Sequence, residues 1–289
     1  MNNGKNKNVL LNQFKYDIKT GIILEWKQYM PLIIFAVLFC FHYLHKINNY
    51  SMITPMRLPN FGDYLIAFFK GKEYFEVLSI KDTFTLPAVW IIVNLYLTII
   101  VNIYPMKDFK ERGYQTLLRV EKKSYWWLSK CFCVIFQVLF YYGIIYFILF
   151  IFSCCTGGIS LKPNDKISIY ISEIFIENID ISHLVLITTA APVIVSITLS
   201  LLELTLSFLF NSITGILLII TYLIVSTYWC KDFLLGNYSM LYRSDLIIGS
   251  KGVNGVDGIL LCLVLSGMSM VAGYLIFKNI ELMNKKGED

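Results

Sequence analysis

Six stretches of this chain carry no Lys, Arg, Asp or Glu: Gln28–His45, Thr83–Met106, Cys131–Leu161, Ile181–Leu202, Leu204–Cys230 and Gly258–Phe277. They hold 18, 24, 31, 22, 27 and 20 residues. A helix needs about 20 mostly apolar residues to cross the hydrocarbon core of a bilayer, because each residue rises about 1.5 Å. Each run is long enough, so the chain is expected to be an all-α membrane protein with six transmembrane helices, forming one membrane domain over residues 1–289. Composition agrees. The chain is 56% hydrophobic and 16% charged, where soluble domains carry about 25% charged residues. Tyr43, Tyr104, Trp126, Trp127, Tyr222, Tyr228 and Trp229 crowd the ends of the runs, where amphipathic rings suit the headgroup boundary.

An even number of spans puts both termini on one side. If that side is the cytoplasm, the inner segments hold fifteen Lys/Arg and eight Asp/Glu, against ten and eleven in the outer segments, with Glu203 set apart. Basic residues near the spans stay inside, which favours N-in, C-in. The net charge of +5 is therefore a topology signal, and nucleic acid is not an expected partner. No removable leader is expected, since no small-residue cleavage site follows the first apolar run. The seven cysteines sit mostly in or beside apolar runs and read as small hydrophobes. Cys131 and Cys133 lack the spacing of a zinc or redox pair. His42 and His45 share a helix face but have no third ligand. No metal or cofactor is expected to bind this chain.

Residues 8–27 place Leu10, Leu11, Phe14, Ile18 and Ile22 at helical spacing, with Lys15, Asp17 and Lys19 on other faces. That pattern predicts an amphipathic helix lying in the membrane interface before the first span. Three segments, 46–82, 162–180 and 231–257, are expected outside and together long enough for a small cap. The first holds Tyr64, Leu65, Phe68 and Phe69 at helical intervals, which predicts a short helix resting on the membrane surface. The last contains Gly252, Gly255 and Gly258 and reads as turn-rich coil. A helix to about Phe210, a tight turn at Asn211–Ser212 and a return helix are expected in 181–230. Glu203 then lies about 10 Å from the turn, at a depth where a carboxylate is costly. Either it contacts substrate or it pairs with a Lys or Arg at the inner face.

The inner segment 107–130, KDFKERGYQTLLRVEKKSYWWLSK, holds seven basic and three acidic residues together with Tyr114, Leu117, Leu118, Trp126 and Trp127. Tyr114, Leu117 and Leu118 fall at i, i+3, i+4, so a short helix over about 112–119 presents one apolar face. In a charged loop too short to fold alone, such a face suits lipid or a groove on a partner protein.

The order of interfacial helix, span, outer loop, span and then an inner loop with Glu111, Gly113, Thr116–Leu117 and a closing Lys130 resembles the permease subunit of type 2 ABC exporters. The resemblance implies six spans, and a coupling helix with Glu111, Gly113, Tyr114, Thr116, Leu117 and Leu118 seated in a cleft of an ABC ATPase subunit. It also implies a second permease copy. Where that family often has Pro after the coupling helix, this chain has Val120–Glu121–Lys122. No G-x-x-x-x-G-K-[ST] phosphate loop occurs in the 289 residues, so ATP and Mg²⁺ would sit on the partner subunit and the chain is not itself an enzyme.

Asn94, Thr98 and Asn102 form a stripe at i, i+4, i+8, and Gln137 and Tyr141 repeat it on the next run. With Glu203 they mark a possible substrate path, although such groups more often hydrogen-bond neighbouring helices. An apolar-walled route suits amphipathic or lipid-like cargo. Small permeases of this kind resemble exporters of peptide toxins, phenol-soluble modulins and lantibiotics among them, in the bacterial plasma membrane. Two rivals remain. One is a non-transporting membrane protein acting as a sensor, immunity or assembly factor. The other is an intramembrane enzyme, for which the three His and lone Glu203 supply no catalytic set.

Overall fold

A computed structural model of the protein describes residues 11–52, 54–73, 84–119, 123–175 and 180–279, the side chains of 112–123 and 279 excepted. The described residues are helical, with no strand and one isolated parallel bridge, Ser244 to Val253. Helix α1 covers residues 11–23 and winds as a π turn over Lys19–Ile23. A 3₁₀ turn, Trp26–Tyr29, leads into α2 (Met30–Ser51). Then follow α3 (Phe61–Phe69), α4 (Ala88–Arg119), α5 (Lys123–Cys155), α6 (Ile181–Leu209), α7 (Ser212–Tyr228) and α8 (Gly255–Asn279).

Five of these, α2, α4, α5, α6 and α8, are long and apolar enough to cross a membrane. The sixth expected span, α7, has only 17 residues. It rises about 26 Å, short of a ~30 Å hydrocarbon core. Its start is fixed by Asn211, whose side chain accepts from the Thr214 amide. This cap takes eight residues of the charge-free run, 204–211, away from α7 and gives them to α6 and the turn.

Unlike a soluble protein, the bundle is apolar outside as well as inside, and its polar groups are turned inward. Large apolar residues face outward on every long helix, among them Leu38, Phe41, Ile99, Phe147, Leu217 and Val264. Buried positions include Asn94, Asn102, Gln137, Thr188, Thr198, Ser200, Glu203 and Thr205. Apolar surface gains nothing by leaving lipid, so close packing and interhelical hydrogen bonds hold such a bundle. Thr198 and Thr205 of α6 both bond across to α8, at Cys262 O (3.0 Å) and Ser269. The central α6 touches α8, α7, α5 and α4.

The same inversion corrects two expectations. Asp17, expected on a different face of α1 from the apolar residues of an interfacial helix, is fully buried, while Leu11 and Ile23 are exposed. In α3, every residue from Gly62 to Phe69 is buried. It is inserted among α2, α5 and α6 rather than resting on the membrane surface, as suits a helix that is apolar all round. An Asn60–Asp63 capping box satisfies its N-terminus.

The bundle has two distinct ends. At one, α4 leaves and α5 enters, and the last residues of α8 pack there through Phe277. At the other, the three connecting segments bond to one another. The Asn164 amide donates to Asp63, the Asn60 amide side chain to Lys162 O, the Tyr242 amide to Lys70 O, and the Tyr242 hydroxyl to Ser172 O (2.7 Å).

Candidate functional site

At the terminal end three charged side chains meet inside the protein. Lys130 lies two turns into α5 and has no exposed surface. Its Nζ is 2.7 Å from Asp108 Oδ2 on α4 and 2.8 Å from Asp17 Oδ1 on α1. The ammonium also faces the rings of Tyr104 (4.6 Å) and Trp126 (5.2 Å), which adds cation–π attraction. Gly21 lets the Tyr104 ring approach α1, since a Cβ there would stand 2.6 Å from the ring.

Two carboxylates against one ammonium leave a net negative charge, and neutral donors offset it. Asp17 Oδ1 accepts from Tyr104 (2.8 Å) and Gln13 (3.1 Å), and Oδ2 accepts from Ser129 (2.5 Å). Thr20 donates to the Tyr104 hydroxyl at 2.7 Å. A buried ion set is tolerated only when its remaining lone pairs are so occupied. The network joins α1, α4 and α5 by side chains alone. Gln137 adds a further tie from α5 to α1, donating to Gly21 O at 3.2 Å.

Beside it stands an aromatic group from four helices: Phe109 of α4, Trp126 and Trp127 of α5, Phe208 of α6 and Phe277 of α8. Trp126 stacks on Phe277 with centroids 4.8 Å apart, and Phe109 meets Phe208 edge-on at 5.1 Å. Asp108 and Phe109 are neighbours on α4, so the helix is anchored on the ion network through one and on the aromatic group through the other.

Beyond this anchorage α4 continues without a break to Arg119. The expected coupling segment is therefore the last two turns of a 32-residue helix, not a separate short helix. Between Lys107 and Arg119 only Gly113 is a poor helix former, at a cost of about 1 kcal/mol. Glu111 is exposed. Gly113, Tyr114, Thr116, Leu117 and Leu118 are helical in backbone, and their side chains lie outside the described residues.

The candidate path residues are dispersed. Asn94 and Thr98 bond back to their own helix, at Trp90 O (2.8 Å) and Asn94 O (3.0 Å). Asn102 is different: its amide nitrogen donates to Glu203 Oε1 (2.9 Å) and Ser207 Oγ (2.7 Å), and its oxygen accepts from Ser212. Glu203 has no Lys or Arg partner among the described residues, and its Oε2 has no hydrogen-bond partner. Gln137 bonds to Gly21 O of α1 and is not hydrogen-bonded to Asn102 or Glu203.

Sequence reasoning overlooked two buried charged sites. In the Asp17–Asp108–Lys130 set, Asp108 and Lys130 were signalled only by their places at the ends of apolar runs, and Asp17 only by its place in an amphipathic segment. Arg243 gave no signal beyond one basic residue in a turn-rich segment. It is fully buried at the loop end and donates to Ser226 O, Thr227 O and Trp229 O at the end of α7, to Asn237 Oδ1 and to Lys72 O.

Compared with protein-family models, curated proteins and solved structures, the chain matches none.

Proposed function

We propose that this chain is the membrane subunit of an ABC-type exporter, working with a separate ATPase that holds ATP and Mg²⁺. In this reading α7 is the sixth span, both termini lie in the cytoplasm of a bacterial cell, and a second permease copy completes the transporter. The cargo is an amphipathic peptide or another hydrophobic molecule. The observation that carries the reading is the construction of α4. Its last two turns extend from a spanning helix, and its base is cross-linked by Lys130 and Asp17 on one side and by Phe109 on the other. A push on residues 112–119 is thereby delivered to α1, α5, α6 and α8 together. The exposed apolar surface of the long helices supports a membrane location.

The test uses the tagged full-length chain purified from its native membrane. The reading expects a nucleotide-binding ATPase to be retained by the wild type and lost with Leu117→Asp. With Gly113→Pro, vesicles should keep ATP hydrolysis and lose export, because the helix is broken between its tip and its anchorage. A chain that carries no ATPase in either form, or that exports normally with either substitution, overturns the reading in favour of a non-transporting membrane protein.

A further inference from the structure

Between α1 and the lipid-facing side of α5 lies a groove of 650 Å³, lined in part by Ile18, Ile23, Phe136, Phe140, Gly143 and Phe147. Every described residue that lines it is apolar. Its walls are held in place from both sides. The Phe14 ring meets Phe132 and Phe136 edge-on (6.0 and 5.3 Å), and Tyr29 meets Phe140 edge-on (5.0 Å). Gly143 is exposed between the exposed rings of Phe140 and Phe147. A Cβ added there would meet no other described group within 4 Å. Glycine weakens a helix interior, and no packing among the described residues calls for it at this position. It opens a notch toward the outside of the chain.

One end of the groove is basic. Lys15, Ile18 and Lys19 fall at i, i+3 and i+4, so both lysines share the face of α1 that carries the groove residue Ile18. Both are exposed, and neither has a carboxylate within ion-pair distance among the described residues. Asp17 lies on the far side of the helix and is committed to Lys130. No acidic residue precedes Asp17 in the chain, whereas Lys5 and Lys7 do. Residues 1–27, 107–130 and 278–289 together hold fifteen Lys/Arg against eight Asp/Glu, so the positive excess belongs to this whole end of the sequence map. From the lysines the groove follows α5 from Phe136 to Phe147, toward the loop end, over about 16 Å. That is the depth of one leaflet, half of a hydrocarbon core of about 30 Å.

We propose that this groove binds a phospholipid with an anionic headgroup, drawn from the leaflet at the terminal end, with the headgroup on Lys15 and Lys19 and an acyl chain seated over Gly143. A zwitterionic lipid would fill the notch and gain nothing from the two unpaired lysines. A soluble anion would use the lysines and leave the notch empty. The site rests on the membrane location of the bundle and not on the transport reading.

Native mass spectrometry of the full-length chain in detergent tests this. Phosphatidylglycerol and phosphatidylcholine of one acyl composition are added separately, and the fraction of chain carrying a lipid is followed against concentration. Phosphatidylglycerol should bind at the lower concentration. Lys15→Gln and Lys19→Gln should each weaken its binding about fivefold, the equivalent of about 1 kcal/mol per basic residue near an anionic lipid, and leave phosphatidylcholine binding unchanged. Lys19→Arg should bind as the wild type does. Gly143→Phe, which fills the notch, should weaken binding of both lipids. If that variant is not recovered folded, Gly143→Leu carries the same expectation. Equal binding of the two lipids, undiminished phosphatidylglycerol binding in both glutamine variants, or binding untouched by filling the notch would overturn the proposal. So would displacement of phosphatidylglycerol by millimolar glycerol 3-phosphate, which identifies a site for free anions, or a dimer of the chain that is lost with Gly143→Phe, which gives the groove to a second copy.

Discussion

Lys130 and Arg243 are both fully buried, at opposite ends of the bundle, and they share no type of partner. Lys130 is met by the carboxylates of Asp17 and Asp108. Arg243 is met by four backbone carbonyls and one side-chain amide. Carbonyls at the end of α7 are the negative pole of a helix and need donors in any case. Arg243 thus completes backbone bonding and fixes one arrangement of the loop end. The Lys130 contacts are between side chains of three helices, and each can be made or broken while its helix stays intact. The difference suggests that the loop end is a static cap and that the terminal end is where the helices can change their relation.

The largest effect should come from Lys130→Met. It leaves two buried carboxylates facing each other, and breaking a buried ion set in this way costs about 3–5 kcal/mol. Thermal unfolding in detergent measures it. Combining it with Asp17→Asn and Asp108→Asn should recover most of the loss, since no buried charge is then left unpaired. If Lys130→Met unfolds at the wild-type temperature, the network contributes nothing and the contrast with Arg243 fails.

Arg243→Met should cost less, about 2 kcal/mol, because the carbonyls it leaves can partly be hydrated. Here removal of neighbouring acids should give no rescue. Arg243→Lys should recover only part of the loss, since one ammonium cannot span the five acceptors that the guanidinium fork reaches. Full function of lysine at this position would remove the argument for a geometric cap.

A third test separates the ends by pH. Asp63, at the loop end, accepts from the Asn60 and Asn164 amides (2.9 and 2.8 Å), yet burial pushes its pKa up to about 6. In the unfolded chain it titrates near 4. Between those values the folded protein holds the proton and the unfolded chain has lost it. Stability from this group is therefore full below pH 4 and declines as pH rises to 6. Melting of the wild type should show that decline. Asp63→Asn should flatten it, at the expense of one capping bond worth about 1 kcal/mol. A melting temperature that rises from pH 4 to 6 only in the wild type would reverse the sign and refute the assignment.

The helical, membrane-embedded class was legible from the charge-free runs because the bilayer sets both their length and their composition. The turn after α6 was legible from Asn211–Ser212, since Asn caps a helix start. The burial of α3 was not. Surface and interior of a membrane bundle are both apolar, so Tyr64, Leu65 and Phe68 look alike in either place. The burial of Asp17 escaped for the related reason that an amphipathic helix beside lipid turns its polar face inward. The continuity of α4 also escaped, because nothing in residues 107–119 distinguishes a helix joined to its span from one lying apart. The partners of Lys130 and Arg243 lie far apart in the chain, and no local pattern connects Asp17 to Lys130 or Ser226 to Arg243.

Glu203 carries the smallest expected effect on stability and tests the contrast from the middle of the bundle. Its Oε1 accepts from Asn102, which also bonds Ser207 and Ser212 and so ties α4 to both arms of the α6–α7 hairpin. Its Oε2 is buried without a partner. Glu203→Gln keeps the shape and can keep the acceptor oxygen on Asn102, while removing a buried charge or proton. Stability should therefore change by less than about 1 kcal/mol, within the range of a single exchanged hydrogen bond. Asn102→Leu, which removes all three ties, should cost more than Glu203→Gln. If the glutamine variant instead melts as early as Lys130→Met, Glu203 is balanced by a cation after all, and the carboxylate belongs with the ion network as a structural charge. If it melts like the wild type but changes transport in vesicles, the unpaired oxygen is a working group, and the movable part of the molecule extends from the Lys130 network to the α6–α7 turn.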